Sequence, residues 1–222
     1  RARIVAQTIN EQMQASDKGF IMGHDNEDYD AIGSAIGMAK LSLSLNKETY
    51  IVLSGRNDNV NRISEMLARE SIKVNDHEED YNSIMVEEAE ALKHITPNSL
   101  LVLVDHHREI LTASKSVLEA IPKRIIVDHH RRSEDLLADT VLLYLEPSSS
   151  STSELLTELV GYFNDRLEFT PVEATALYSG IVLDTKNFAV QTGERTFEAA
   201  ALLRRNGADS NMVRLMFKDD MD

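Results

Sequence analysis

Two continuous apolar runs constrain the fold of this chain more than any other feature. Leu100-Leu101-Val102-Leu103-Val104 ends in Asp105-His106-His107-Arg108, and Arg124-Ile125-Ile126-Val127 ends in Asp128-His129-His130-Arg131-Arg132. A short apolar run without polar alternation reads as a strand buried on both faces. Such strands belong to parallel sheets covered by helices on both sides. Their near-identical polar ends then share one carboxyl edge, the place where α/β folds hold their ligands.

A third stretch has the same form. Phe20-Ile21-Met22 leads into Gly23-His24-Asp25-Asn26-Glu27-Asp28-Tyr29-Asp30, and a small-residue segment follows from Ala31 to Met38. This reads as strand, loop and helix. The loop carries one imidazole, His24, and three aspartates, Asp25, Asp28 and Asp30. Asp28 and Asp30 lie two apart, so in an extended segment they point to one side. Neutral imidazole with carboxylates suits manganese, iron, cobalt or zinc. The competing reading of the same residues is a helix N-terminus, where aspartate caps and complements the dipole.

The remaining chain alternates in the same manner. Helices are expected over 2–16, 30–45 and 58–69, with strands at 19–23 and Tyr50–Leu53 between them. Ile72-Lys73-Val74 reads as a short edge strand, and 82–94 as an acidic amphipathic segment. Val141 to Leu145 is a further strand. Ser151-x-x-Glu154 fits a capping box ahead of an apolar helix running to Phe163. Thr170-Pro171 opens a helix over 171–182. Asp184 follows the apolar stretch Gly180–Leu183, as Asp105 follows its own run. The last helices are expected over 194–206, with Gly207 at the C-cap, and over 209–217. One domain over 1–217 is therefore expected, with 218–222 as a polar linker.

Composition excludes several classes. With no cysteine there is neither a disulfide framework nor a thiolate metal site. A formal net charge of −14 argues against a general duplex nucleic-acid surface, which requires basic residues. Acidic proteins still act on phosphates where metal ions neutralise their carboxylates. No apolar run approaches the roughly 18 residues a membrane span needs. The chain opens on Arg1 rather than Met, so it is expected to be part of a longer protein.

The order His24, Asp28, Asp30, then Asp105, then Asp128-His129-His130, then Asp184 resembles the DHH phosphoesterase superfamily, over about residues 18 to 206. Further motifs are similar to the GdpP-type cyclic-di-AMP phosphodiesterases. They are Glu146-Pro147, Ser150-Ser151-Thr152-Ser153-Glu154-Leu155, Asp184-Thr185-Lys186-Asn187-Phe188 and Arg195-Thr196-Phe197-Glu198-Ala199-Ala200. The resemblance implies an α/β fold with a parallel sheet, helices on both faces and a metal site at the carboxyl edge. It implies two Mn²⁺, with Zn²⁺, Fe²⁺ or Co²⁺ also suited to the donors. His24 and Asp28 would hold the first, Asp30, His129 and Asp184 the second, and Asp105 would bridge them. His130 would be catalytic with Asp105, Asp128 would orient a ligating histidine, and Arg131 and Arg132 would contact a phosphate. Two readings of Ser150 to Ser153 are open, a place in the site lining and a plain helix cap, and the cap is preferred.

The implied reaction is hydrolysis of cyclic di-AMP to linear pApA by a water activated between two metals. The implied partners are a cyclic dinucleotide or short linear dinucleotide, with a homodimer left open. The implied setting is a cytoplasmic domain of a parent anchored in the bacterial membrane by regions outside this chain. Alternatives are an oligoribonuclease or nucleotide phosphatase of the same superfamily, and a non-catalytic nucleotide-sensing module. Three departures stand out. Glu27 replaces the proline common before Asp28, which is expected to loosen the loop. His106 replaces a threonine and adds a competing donor beside Asp105. The DHHA1 domain that binds substrate in such families has no counterpart within these residues.

Overall fold

The structure is a computed structural model that describes residues 1–218. In chain order, α1 (Ala2–Gln14) leads to β1 (Lys18–Met22), α2 (Tyr29–Ser44), β2 (Glu48–Leu53) and α3 (Asp58–Leu67). A small hairpin of β3 (Ile72–Val74) and β4 (His77–Glu79) precedes β5 (Met85–Glu87) and α4 (Glu88–His94). Then come β6 (Ser99–Val104), α5 (Lys115–Ala120), β7 (Arg124–Asp128) and β8 (Leu142–Leu145). Four helices close the described chain: α6 (Thr152–Phe163), α7 (Pro171–Asp184), α8 (Glu194–Arg205) and α9 (Ser210–Lys218).

Six strands form one sheet in the order β5-β2-β1-β6-β7-β8, and every pairing is parallel. The expected parallel sheet is therefore present, with the two apolar runs, β6 and β7, side by side near its centre. Successive side chains of a strand point to opposite faces, and here each face has its own core. Ile21, Ile51, Val102, Val104, Ile125 and Val127 pack under α1, α2, α3, α6 and α7. Phe20, Met22, Val52, Leu101, Leu103 and Ile126 pack under α4 and α5. Burying each such side chain contributes about 1.5–3 kcal/mol. β1 is the turning point of the topology: the chain leaves it toward β2 on one side and later adds β6 on the other. The carboxyl end of such a strand opens a crevice between its two flanking connections.

Four expectations need correction. Ile72–Val74 is not an edge of the main sheet but pairs antiparallel with β4. Asn75 and Asp76 both take positive φ, 51° and 67°, which suits a two-residue hairpin turn and folds the strand back on its successor. The segment 82–94 divides into a 3-10 turn, the short strand β5 and α4; three residues are too few to show a strand period. The helix expected over 171–182 runs two residues further, so that Asp184 is its last residue rather than part of a following loop. This helix is apolar around most of its circumference, so its sequence carries no helical period to mark the extension. Lys218, expected to begin a linker, closes α9, and the rest of that linker lies outside the described residues. No helix among the described residues is long and apolar enough to cross a membrane.

α7 opens at Thr170-Pro171 as expected, and a capping box forms there: the Thr170 hydroxyl caps Glu173 N, and the Glu173 carboxylate accepts from Thr170 N. That carboxylate also accepts from Lys40 of α2 at 2.7 Å and from the Tyr81 hydroxyl, so it pins α7 to α2. The two helices approach so closely that a Cβ on Gly33 would lie 2.5 Å from the Ala176 carbonyl oxygen. Gly33→Ala is therefore expected to destabilise the chain by about 1–3 kcal/mol in urea denaturation. Gly161→Ala, where an added Cβ meets nothing within 4 Å, should be neutral or stabilising by up to about 1 kcal/mol.

Candidate metal centre

The carboxyl ends of β1, β6 and β7 face one cleft of about 570 Å³. Past β1, the chain is held by Ala113 N donating to Gly23 O and Asp25 N donating to Leu111 O, which sets His24 at the floor. Asp28 is the N-cap of α2 and accepts from Ala31 N at 2.9 Å, so the capping reading holds, and the same residue lines the cleft. Asp30 lies in the first turn of α2 and is fully buried. Asp105, just past β6, takes a left-handed φ of 63°, uncommon for a residue with a side chain.

The donor atoms form two groups that share one residue. His24, Asp28 and Asp105 each offer an atom within 4.8 Å of the others, and so do Asp30, Asp105, His129 and Asp184. His24 Nε2 is 3.4 Å from Asp28 Oδ1 and 3.3 Å from Asp105 Oδ2. His129 Nε2 is 3.6 Å from Asp105 Oδ1, 3.7 Å from Asp30 Oδ2 and 3.0 Å from Asp184 Oδ2. The two oxygens of Asp105 thus face different groups. A further grouping joins Asp105, His129 and His130.

His24 Nδ1 donates to the Asp25 carbonyl oxygen at 2.9 Å, which leaves Nε2 directed at the carboxylates. His129 Nε2 is buried among carboxylates and makes no hydrogen bond, despite its distance to Asp184. A buried unsatisfied group costs about 1–3 kcal/mol, and a cation at this point would satisfy it. The donor set is nitrogen and oxygen only, which fits a divalent transition metal.

Electrostatics support the same fit. Burial, and then the neighbouring charge of Asp184, raise the pKa of Asp30 to about 8. Burial and Asp105 raise Asp184 to about 7. Burial and Asp30 hold Asp105 well above the usual carboxylate range. Burial opposes a charge on His24, yet its bonds to Asp105 and Asp28 prevail and raise it to about 11. The cleft therefore binds excess protons that a divalent cation would replace.

A second set of residues surrounds these. Thr152 N and Ser153 N, at the start of α6, donate to Asp30 Oδ2 and Oδ1 at 3.0 and 2.8 Å. Asp128 is fully buried and holds two histidines, accepting from His130 Nδ1 and His107 Nδ1 at 2.7 Å each. Burial opposes its ionisation, but these bonds keep it well below the usual carboxylate range. The bond to Asp128, against the cost of burial, raises His130 to about 9. His130 is half-exposed and faces the cleft, and Arg131 stands at its rim. Arg132 is exposed and lies outside the cleft lining.

The chain matches the model of the DHH family, N-terminal domain, over residues 18–181. This chain belongs to the DHH family. It is 39% identical over its whole length to the cyclic-di-AMP phosphodiesterase PdeA of Listeria monocytogenes and 38% identical to the cyclic-di-AMP phosphodiesterase GdpP of Bacillus subtilis. It spans about a third of the length of each, 33%. The DHH fold is also shared with an exopolyphosphatase-related protein from Bacteroides fragilis, at a TM-score of 0.74 and 23% identity, over 95% of this chain and 59% of that one.

In this DHH domain His106 is not a competing donor. Its Nδ1 donates to the Val104 carbonyl oxygen at 2.8 Å and its Nε2 meets Thr112 Oγ1 at 3.0 Å, while burial lowers it to about 4. Nor does Glu27 loosen the loop: its carboxylate accepts from Ser54 N and Ser54 Oγ, and its carbonyl oxygen accepts from Asn57. Asp128 holds the rings of His107 and His130 rather than that of His129, whose backbone N–H alone reaches it. Sequence reasoning gave His107 no role. The repeated Asp-His-His at two strand ends was the available signal. Sequence reasoning also preferred a cap to a site lining for Ser150–Ser153. Ser151 does cap Glu154 N, but the Glu154 carboxylate bonds Ser149, Ser150 and Thr196 instead of completing the expected capping box, and Thr152 and Ser153 hold Asp30.

Acids with raised pKa bind more protons folded than unfolded, so Asp30 and Asp184 make the metal-free chain lose stability as pH rises from about 4 to about 8. A cation reverses that cost. Excess Mn²⁺ is expected to raise the melting temperature more at about pH 8 than at about pH 5, and binding should release protons. Calorimetric titrations in two buffers of different ionisation enthalpy measure the release; equal heats would contradict it.

Proposed function

We propose that this chain is the metal-holding part of a phosphodiesterase that hydrolyses cyclic di-AMP to linear pApA. The observation that carries the reading is Asp105, shared between two donor groups beside a histidine locked by a buried aspartate. His24 and Asp28 would hold one cation, Asp30, His129 and Asp184 the other, and Asp105 both. Two Mn²⁺ ions held there would supply Lewis acidity toward the phosphoryl oxygens and a water of lowered pKa.

The chain's own groups account for the rest. The carboxylates concentrate negative charge at the cleft floor, and a phosphodiester enters only with cations bound. Water adds to phosphorus as the bond to the ribose 3′-oxygen breaks, and that oxygen needs a proton. His130 is charged near neutral pH because Asp128 holds its Nδ1, so its other ring nitrogen is suited to donate to the leaving oxygen. His107, backed by Ser133, fixes the second oxygen of Asp128 and so the plane of the pair. Arg131 at the rim suits a second phosphate. Identity of 38–39% along the whole chain to proteins named cyclic-di-AMP phosphodiesterases supports the substrate, and the parent protein at the bacterial membrane is part of the same reading.

Calorimetric titration of the stripped chain with Mn²⁺ tests the site: two bound ions are expected, and none in a folded sample would overturn it. Asp105→Ala should weaken both ions, His24→Ala mainly one. In the full-length parent, conversion of cyclic di-AMP to pApA is expected. There His130→Ala should leave metal stoichiometry intact and lower kcat by about 10²–10⁴-fold. Loss of metal in that variant would mean the other histidine of the pair had been misassigned.

A further inference from the structure

The hydroxyl of Thr152 has no part in capping α6. Ser151 is the N-cap and its Oγ accepts from Glu154 N at 3.0 Å. Thr152, the first residue of the helix and fully buried, instead directs Oγ1 to Asp105 Oδ1 at 3.0 Å, while its N–H donates to Asp30 Oδ2. One residue thereby ties two acids that come from different elements, the end of β6 and the first turn of α2. The torsion of an aspartate carboxylate about its last bond is broad. A donor on Oδ1 fixes that plane, and with it the direction of Oδ2 toward His24.

The segment carrying Thr152 is itself anchored from outside the site. Glu154 is buried, and its carboxylate does not turn back to its own helix cap. It accepts from Ser149 Oγ at 2.6 Å, from Ser150 Oγ at 2.9 Å and from Thr196 Oγ1 of α8. On the other side α7 leaves no slack: a Cβ on Gly180 would lie 2.2 Å from Ser153 Oγ and 2.9 Å from Asp30 Oδ1. The serine-rich turn is thus clamped between α7 and α8 and has one orientation to offer.

We propose that Thr152 is a positioning residue that sets Asp105 to bridge two cations, its hydroxyl fixing the carboxylate plane while its N–H aims Asp30 at the second ion. The inference rests on the two-metal reading above and adds to it a residue that touches neither cation. Removing the hydroxyl frees Asp105 to turn both oxygens toward one ion, so the second ion loses its shared ligand. Outer partners of metal ligands typically carry about 10–100-fold in metal affinity.

The test compares the whole chain with Thr152→Val, which keeps the shape and loses the donor, and Thr152→Ser, which keeps the donor. Calorimetry with Mn²⁺ should show two ions in the unaltered chain. In Thr152→Val the weaker ion should bind about 10–100-fold less tightly, with near-normal affinity restored in Thr152→Ser. Electron paramagnetic resonance of the Mn²⁺-loaded samples should show an exchange-coupled pair in the unaltered and serine chains and isolated ions in the valine chain. Metal-free circular dichroism checks the fold, and Thr152→Ala serves if the valine variant does not fold. Two coupled ions of unchanged affinity in Thr152→Val or Thr152→Ala would overturn the role of Thr152 and leave the two-metal reading standing. Fewer than two ions in the unaltered chain would remove that reading and this inference with it.

Discussion

Everything at the carboxyl edge depends on two buried acids, Asp30 and Asp105, and a third, Asp184, that is partly buried beside them. Mutual repulsion and burial raise the pKa of each. Such an arrangement is costly for a fold with nothing to gain from it. The surrounding structure is built to withstand that cost. Asp30 rests on two backbone N–H groups at the start of α6, where the helix dipole favours negative charge. Asp105 takes a donor from Thr152 and a left-handed backbone. Strain and repulsion collected at one point are the usual mark of a place where chemistry happens.

The sheet supplies the stiffness. β1, β6 and β7 are buried on both faces and locked in parallel register, so the residues just beyond their ends are set to within small displacements. The helices supply the remaining donors. Asp28 and Asp30 open α2, and Asp184 closes α7. Lys40, Tyr81 and Glu173 fasten these two helices together through one buried carboxylate. Division of labour follows from this: strand ends bring His24, Asp105 and His129 together, while helix packing brings the acids to meet them.

Much of this was legible in the sequence because apolar strands and polar strand ends leave strong local patterns. The parallel sheet, its covering helices and the convergence of His24, Asp28, Asp30, Asp105 and His129 all follow from runs of a few residues. What stayed hidden depends on contacts distant in the chain. The helix over 171–182 was legible, but its extension to carry Asp184 was masked because Gly180-Ile181-Val182-Leu183 is an unbroken apolar run with no helical period. The satisfaction of His106 by Thr112 and the tying of Glu27 to Ser54 depend on loops whose course local pattern does not fix. The serine-rich turn reads as a cap, since a cap needs only neighbours, whereas its hold on Asp30 spans much of the chain.

Asp184 sits at the end of a helix rather than a strand, and this changes what a bound cation would join. Ligands from β1, β6 and β7 alone would stitch together strands that hydrogen bonds already hold. A ligand from the last residue of α7 would make a bound ion a non-covalent crosslink between the sheet and a helical layer otherwise attached by side-chain packing. Cations at this centre would therefore act as rivets between the two layers. The end of α7 and the left-handed turn Lys186–Phe188 beyond it are the parts whose exchange with solvent such rivets would slow most.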